Sequence, residues 1–345
     1  MNVLISVIIP IYNMEDSIEK CITSFIKCHC DEIELILVDD GSIDGSLEKC
    51  LLLAEKDERI KVIHQENSGS GVARNSGIKQ AQGDYLLFVD ADDILDEKAF
   101  HILIEIVKKK LPDLVVFGYR LVSPSGRETV KKFSNRFFSG DEVRKDYCPF
   151  FSNQFEWAIQ GAPWNKLFKA SIVKENGVTY PDLRRHQDEV FISRYVNQTN
   201  SVYFIDKVLY THFSNDVKKI WKKYPSNYYD IVGELYLYRR EIIEKWNPEN
   251  EKIRALAYSE YINNMFRVFY KLFDESKHMN YKQRKAYYEK IRESFIFRSY
   301  SYPKEYIGLV KRMQNYFFVL FFTKRNYRFL DLLVRFRLAV FVQSK

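Results

Sequence analysis

Residues 83–93 read GDYLLFVDADD: an unbroken apolar run, Tyr85 to Val89, that stops in Asp90, Asp92 and Asp93. A run this short, without the alternation of a half-exposed strand, suits a strand covered on both faces. Four other runs share the design. Ile5 to Ile9 closes at Pro10 and is followed by Tyr12 and Asn13, and Glu34 to Val38 runs into Asp39-Asp40-Gly41-Ser42. Ile60 to His64 and Leu114 to Tyr119 complete the set. Between them, residues 15–29, Leu47 to Lys56, Gly71 to Gln80 and roughly 96–110 are predicted as helices. In the first, Ile18, Ile22, Phe25 and Ile26 share one face, and Glu15 and Asp16 suit the positive end of the helix dipole. Apolar strands alternating with helices predict an α/β fold, a mainly parallel sheet flanked by helices. Ligands of such sheets bind beyond the carboxyl ends of the strands. Tyr12-Asn13, Asp39-Asp40 and Asp90-Ala91-Asp92 all fall there.

At 345 residues and 41.2 kDa the chain suits two domains. Its 46% hydrophobic and 16% aromatic content excludes a disordered or collagen-like protein. Five cysteines (Cys21, Cys28, Cys30, Cys50, Cys148) are odd in number and irregular in spacing, and read as reduced thiols. Cys28-His29-Cys30 lacks a second ligand pair at zinc spacing. The start lacks the basic residues of a secretory leader, and no apolar stretch is long enough to span a bilayer, so a cytoplasmic protein is expected. Charge is asymmetric. Residues 213–345 hold 27 Lys/Arg against 14 Asp/Glu, net +13, leaving 26 against 32 and net −6 in residues 1–212. An acidic first part and a basic, aromatic second part suggest two jobs, divided at residues 212/213.

No Gly-x-Gly-x-x-Gly follows the first strand and no phosphate-loop motif occurs anywhere, which removes the main support for dinucleotide or phosphate-loop binding. Carboxylates at two strand ends instead suit a hard divalent cation that bridges to phosphate oxygens. Arg74, in the Gly-rich segment 69–75, supplies a direct cationic contact. These parts predict a nucleotide-diphosphate pocket with a metal.

Four blocks now carry a resemblance. Ser6-Val-Ile-Ile-Pro-Ile-Tyr-Asn13, Leu37-Val-Asp-Asp-Gly-Ser42 with Asp44, Asn67 to Gly77 ending in Ala-Arg-Asn-Ser-Gly, and Gly83 to Asp93 resemble glycosyltransferase family 2 in order and spacing across roughly the first 120 residues. The resemblance implies a GT-A fold (Rossmann-like) over residues 1–212, with 1–120 as the nucleotide-sugar half and 121–212 as the acceptor half, followed by a mainly helical region over 213–345. It also implies a UDP-sugar donor, Mn2+ or Mg2+, and inversion at the anomeric carbon. By the same resemblance Pro10, Tyr12 and Asn13 line the nucleotide, with Tyr12 flanking the base. Asp39 or Asp40 accepts from the uracil, and Arg74 contacts the nucleotide. Asp90 and Ala91 lie against the ribose, Asp90 also facing the metal, and Asp92 is the principal metal ligand.

Pro163-Trp-Asn-Lys-Leu-Phe168 resembles a family segment near the acceptor, placing Trp164, Asn165 and Lys166 there, with Trp164 able to stack on a sugar ring. His186-Gln-Asp-Glu-Val-Phe191 resembles the family's Glu-Asp-x-x-Phe block, which makes Asp188 the catalytic base and puts Gln187 where Glu usually stands. A register shifted by one makes Glu189 the base but misplaces Phe191. His212 stands where some relatives complete the metal site with a histidine and others carry an aromatic. Beyond, Phe317, Phe318, Phe321 and Phe322 lie beside Lys324, Arg325 and Arg328, and Phe329, Leu332, Leu333, Phe336 and Val340 recur at helical spacing. A basic amphipathic helix of this kind suits either packing on a core or an anionic membrane surface. The expected reaction is metal-dependent transfer of a hexose or N-acetylhexosamine from a UDP-sugar to a hydroxyl of a glycan or lipid-linked glycan, at the inner face of the cell membrane. A nucleotidyltransferase lacks its early Gly-rich basic loop here. A nucleic-acid-binding protein lacks any recognised module, so no nucleic acid is expected as a partner.

Overall fold

Burial on both faces turns the apolar runs into strands. In the computed structural model the described residues are 4–28, 30–146, 159, 161–214, 224–273, 279–296 and 308–343. His29 and Cys148 lie outside them, as do the ends of the 302–345 segment. The chain divides into two units, Met1–Asn215 and Asp216–Lys345.

The first unit runs β1 (Ile5–Ile11), α1 (Ile18–Ile26), β2 (Ile33–Asp39), α2 (Ser46–Ala54), β3 (Ile60–His64), α3 (Ser70–Gln80), β4 (Tyr85–Phe88), β5 (Ile94–Leu95) and α4 (Ala99–Lys110). It continues with β6 (Leu114–Val122), β7 (Glu128–Lys131), β8 (Arg136–Ser139), α5 (Gly140–Asp146), β9 (Lys166–Lys169), α6 (Ala170–Glu175), α7 (Gln187–Val196) and β10 (Ser201–Phe213). One sheet has the order β3-β2-β1-β4-β9-β6-β10-β5, with β7 on β6 and β8 on β10. The β3–β2–β1–β4 half and the β6–β10 pair are parallel; β9 lies antiparallel between β4 and β6. The expected mainly parallel sheet is therefore parallel at one side and mixed beyond β4. Connections from β1 lead out through β2 and β3 and return to β4 on its other side, so a crevice opens at the carboxyl ends of β1 and β4.

Local boundaries shift for identifiable reasons. Glu15 precedes α1 rather than opening it, because its carboxylate accepts from the Gly45 N–H at 3.0 Å. Ile94 and Leu95 pair with Thr211 and Tyr210 as β5, which delays α4 to Ala99. Strand β10 continues to Phe213, so His212 lies within it. Above the sheet, Phe88, Phe168, Tyr180 and Phe191 form an aromatic cluster, with Tyr180 stacked on Phe191 at 4.0 Å and Phe88 edge-on to both. Phe191 lies one helical turn beyond Asp188, so its burial at the sheet fixes where the start of α7 points.

The second unit is helical: α8 (Tyr228–Trp246), α9 (Glu251–Tyr270), α10 (Tyr281–Ser294), α11 (Leu309–Thr323) and α12 (Tyr327–Gln343). Helix α9 is buried nearly all round from Ala255 to Tyr270, as befits a central helix. Asn280 and Gln283 close a capping box at the start of α10. Phe318 and Phe322 of α11 turn inward onto Phe269 and Phe295, whereas Phe329, Leu332, Phe336 and Val340 of α12 stay exposed. Asp331, on the opposite face of α12, is buried. It accepts from Arg284 Nε and Nη2 at 3.0 and 2.6 Å and from the Tyr288 hydroxyl at 2.7 Å. Removing one partner of such a pair strands the other's charge. Asp331→Asn should therefore lower the stability of this unit by roughly 3–5 kcal/mol in urea unfolding followed by circular dichroism. A loss below about 1 kcal/mol would show that the pair is solvated.

Candidate active site

Three strand ends and two helix starts meet at a cavity of about 520 Å³ at the β1/β4 crevice. Its wall includes Pro10 in β1 and Tyr12 after it, Asp40 after β2, Gly69, Ser70 and Arg74 at the start of α3, Asp90, Ala91 and Asp92 after β4, and Arg184 and Asp188 before and in α7. Arg74 is the hub. Its Nη2 donates to Asp90 Oδ1 at 2.7 Å and its Nη1 to Asp188 Oδ1 at 3.2 Å, while its ring-facing side lies 5.5 Å from the Tyr180 centroid. Burial opposes a charge on Arg74, but Asp188 and Asp90 outweigh it and hold the guanidinium protonated. Acids 98 residues apart in the chain, Asp90 and Asp188, thus share one cation. Desolvation in the cleft pushes the Asp188 carboxyl up, against the pull of Arg74 and Lys166.

The Gly-rich segment has a geometric purpose. Gly69 adopts φ +95°, which aims its N–H at Asp40 Oδ2 at 2.7 Å, and a Cβ there would meet Arg184 Nη1 at 2.8 Å. Asp40 also accepts from Ser68 N and Gln65 Nε2, so its carboxylate anchors this loop while lining the cavity. Asp39 lies beneath, fully buried, with Oδ2 taken by His64 Nδ1 at 2.7 Å and Oδ1 without a partner. Asn13 does not line the cavity. At φ +52° it ties the loop after β1 to the 41–45 segment through Ser42 and Ile43.

Next to Asp90 the acid run divides its labour. Asp93 is fully buried and accepts from the Tyr210 hydroxyl at 2.7 Å, the Phe213 N–H at 2.9 Å and His212 Nδ1 at 2.9 Å. Tyr210 in turn accepts from the Asp90 N–H at 3.1 Å. Because a carboxylate only accepts, His212 Nδ1 carries the proton it shares with Asp93, which leaves Nε2 available as a ligand. Burial lowers the His212 pKa, but the hydrogen bond and charge of Asp93, with Asp90 and Asp92 behind it, raise it overall. Asp90, Asp93 and His212 place possible ligand atoms within 4.8 Å of one another. Desolvation and the charges of Asp93 and Asp90 push Asp92 up. Oxygen donors with one oriented imidazole fit Mn2+ or Mg2+. Of the set expected from sequence, Asp90 and His212 fall in this cluster together with Asp93, and Asp92 is not part of it.

The 163–168 segment is placed otherwise than expected. Trp164 is 7% exposed, its ring stacked on Tyr210 at 4.8 Å and His212 at 5.3 Å and edge-on to Tyr119, so it braces the imidazole. Asn165 is buried and donates to the Phe117 carbonyl. Lys166 is wholly buried in β9; its Nζ donates to Ala162 O and Asn165 Oδ1, both at 2.6 Å. None of the three lines the cavity. Gln187 also stands outside it, bonding Ser70 Oγ at 2.6 Å and so joining α7 to α3. The sequence reading missed Arg184, which had no pattern to mark it, and Asp93, which lay in plain view within the acid run.

The fold and this acid-lined crevice define a GT-A-type α/β unit. Residues 6–161 match the family profile described as "Glycosyl transferase family 2". The uncharacterized glycosyltransferase EpsJ of Bacillus subtilis is 33% identical over 215 residues, which cover 61% of this chain and 61% of EpsJ. Glycosyltransferase GlyG of Streptococcus pneumoniae is 33% identical over 218 residues, covering 61% of this chain and 71% of GlyG. The crystal structure of S. aureus TarS 1–349 in complex with UDP-GlcNAc aligns with a TM-score of 0.57 at 19% identity, over 84% of this chain and 80% of that one. At that identity the likeness is one of fold. The chain belongs to glycosyltransferase family 2, a family of enzymes.

Burial pulls the Lys166 pKa down to about 7, with Asp188 opposing. Between that value and the ordinary 10.5 the unfolded chain binds a proton that the folded chain does not, so this group makes stability rise with pH across the window. Below pH 7 both states are protonated and its penalty is constant. Relative to Lys166→Met, the wild type should gain up to about 1.4 kcal/mol per pH unit between pH 7.5 and 9.5. Urea midpoints of both proteins at those pH values check this, and a constant difference would contradict it.

Proposed function

We propose that the chain is a metal-dependent, inverting glycosyltransferase that moves a hexose or N-acetylhexosamine from a UDP-sugar to a hydroxyl of a surface glycan. The observation that carries this is Arg74, whose single guanidinium touches both Asp90 and Asp188 across the cavity. It puts the end of β4, suited to the diphosphate side of a donor, within one side chain's reach of a carboxylate suited to the acceptor side. The UDP-GlcNAc complex of TarS and the glycosyltransferase names of EpsJ and GlyG support a nucleotide-sugar donor.

In this reading Tyr12, 45% exposed at the cavity wall, offers its ring to the base, and the free Oδ1 of Asp39 is an acceptor for a base N–H. Asp90, Asp92 and His212 would hold Mn2+ or Mg2+, which supplies a Lewis acid for the charge developing on the departing diphosphate. Asp93, Tyr210 and Trp164 keep the imidazole oriented. Arg74 adds positive charge on the same side. Asp188 takes the proton of the acceptor hydroxyl as its oxygen bonds to the anomeric carbon and the bond to the diphosphate oxygen breaks, giving one inversion and free UDP. The raised carboxyl of Asp188 favours accepting that proton.

The second unit supports contact with an anionic membrane. Phe329, Leu332 and Phe336 are 54–63% exposed on α12, with Arg328 and Arg335 exposed beside them. Insertion of such a face into headgroups buries apolar surface and pairs the cations with lipid phosphates. Among the described residues no helix is long and apolar enough to cross a membrane.

Asp188→Asn should reduce sugar transfer by about 10²–10⁴-fold while UDP affinity stays close to wild type, and Glu189→Gln should keep most activity. Turnover on an extract-derived glycan acceptor, with UDP binding by calorimetry, tests both. An active Asp188→Asn enzyme would remove Asp188 as the base.

A further inference from the structure

We propose that the second unit holds a phosphate-type anion in the cavity between α9, α11 and α12. This cavity has a volume of about 650 Å³ and is separate from the sugar-nucleotide crevice, so the proposal stands whatever the first unit transfers. Two arginines, Arg267 and Arg337, and one lysine, Lys311, face it. Lys311 has a carboxylate partner, Glu260, at 2.7 Å. The arginines are held differently. Arg337 Nη2 donates to Asn263 Oδ1 at 2.6 Å and Arg267 Nη1 to Asn264 Oδ1 at 2.8 Å. A neutral amide oxygen orients a guanidinium without neutralising it.

Charge therefore accumulates. Three cations and one carboxylate line the cavity, an excess of two positive charges, which matches a phosphate dianion. The Arg337 guanidinium lies 4.1 Å over the Phe266 ring, and its Nη1 is buried with no hydrogen-bond partner. An unmet buried N–H of a cation is costly, and phosphate oxygens accept from arginine forks in the required plane. Burial lowers the Arg337 pKa and the nearby Arg267 lowers it further, with Tyr270 and Glu260 opposing. Asp331, the one acidic residue of residues 309–343, is taken up by Arg284 and Tyr288 and supplies no counter-charge. An ordinary solvated arginine face would leave these N–H groups in water; Arg337 Nη1 is not in water.

The rim of the cavity is apolar. Leu309, Val310 and Val340 are 63%, 66% and 46% exposed there. A polar, doubly cationic floor beneath exposed aliphatic side chains suits a phosphate carried by an amphiphile, although a soluble phosphate satisfies the floor equally.

The full chain should be titrated with inorganic phosphate and pyrophosphate in EDTA by calorimetry. In parallel it should be floated with phosphatidylcholine vesicles with and without phosphatidic acid. Saturable binding of the soluble anions is expected, weakened about tenfold or more in both Arg337→Gln and Arg267→Gln, the loss of one charge-assisted contact each. Unchanged UDP affinity in the same proteins shows that the first unit is intact, and Arg267→Gln carries the test if Arg337→Gln does not fold. Flotation that requires phosphatidic acid and is lost in Arg267→Gln assigns the site to a lipid headgroup; soluble binding without it assigns a free phosphate. Absence of saturable binding to any of these probes, or binding untouched by Arg267→Gln, would overturn the proposal.

Discussion

A guanidinium that is 5% exposed must find carboxylates, and Arg74 finds two. Alone, Asp90 and Asp188 in one cleft would repel each other. With Arg74 between them the charges are compatible, and the cleft stores two negative groups and one positive in fixed geometry. The fold serves this arrangement. The β1/β4 crevice delivers Asp90, the Gly-rich turn into α3 delivers Arg74, and the aromatic cluster at Phe191 holds the start of α7 where Asp188 completes the bridge. Loss of Arg74 would leave two part-exposed carboxylates facing each other, and loss of both acids would strand a buried guanidinium, which is why these distant segments are coupled.

The first unit was legible in sequence where burial was symmetric. β1, β2 and β4 read as plain apolar runs because both of their faces are covered. Strand β9 was not legible, because Lys166-Leu-Phe-Lys169 begins and ends in lysine. Only the structure shows that Lys166 is wholly buried, its ammonium satisfied by Ala162 O and Asn165 Oδ1. The same burial explains Trp164. A tryptophan in a family-like acceptor segment invites a sugar-stacking role, yet its ring faces Tyr210 and His212. It supports the imidazole instead.

Composition of the acid run was visible, but its division of labour was not. Asp90 and Asp92 face the cavity, whereas Asp93 turns into the protein toward Tyr210, His212 and Phe213, partners at least 117 residues later in the chain. In the second unit the helical spacing of Phe329, Leu332, Phe336 and Val340 announced α12. It did not reveal that α12 buries Leu330, Asp331 and Val334 while leaving its aromatic row outside, because an ion pair with Arg284 sets the inward face. Nor could it show Arg267 and Arg337 converging from two helices on one cavity.

The account rests most on the claim that the β1/β4 crevice binds a nucleotide-sugar through a metal at Asp90 and Asp92. The direct measurement is UDP release from a panel of UDP-hexoses and UDP-N-acetylhexosamines, with Mn2+ or with EDTA, for the wild type and Asp92→Ala. Slow hydrolysis of one donor, present with Mn2+ and lost in EDTA and in the variant, is the expected result. Equal release in EDTA or by Asp92→Ala, or no UDP binding by calorimetry with either metal, would contradict it.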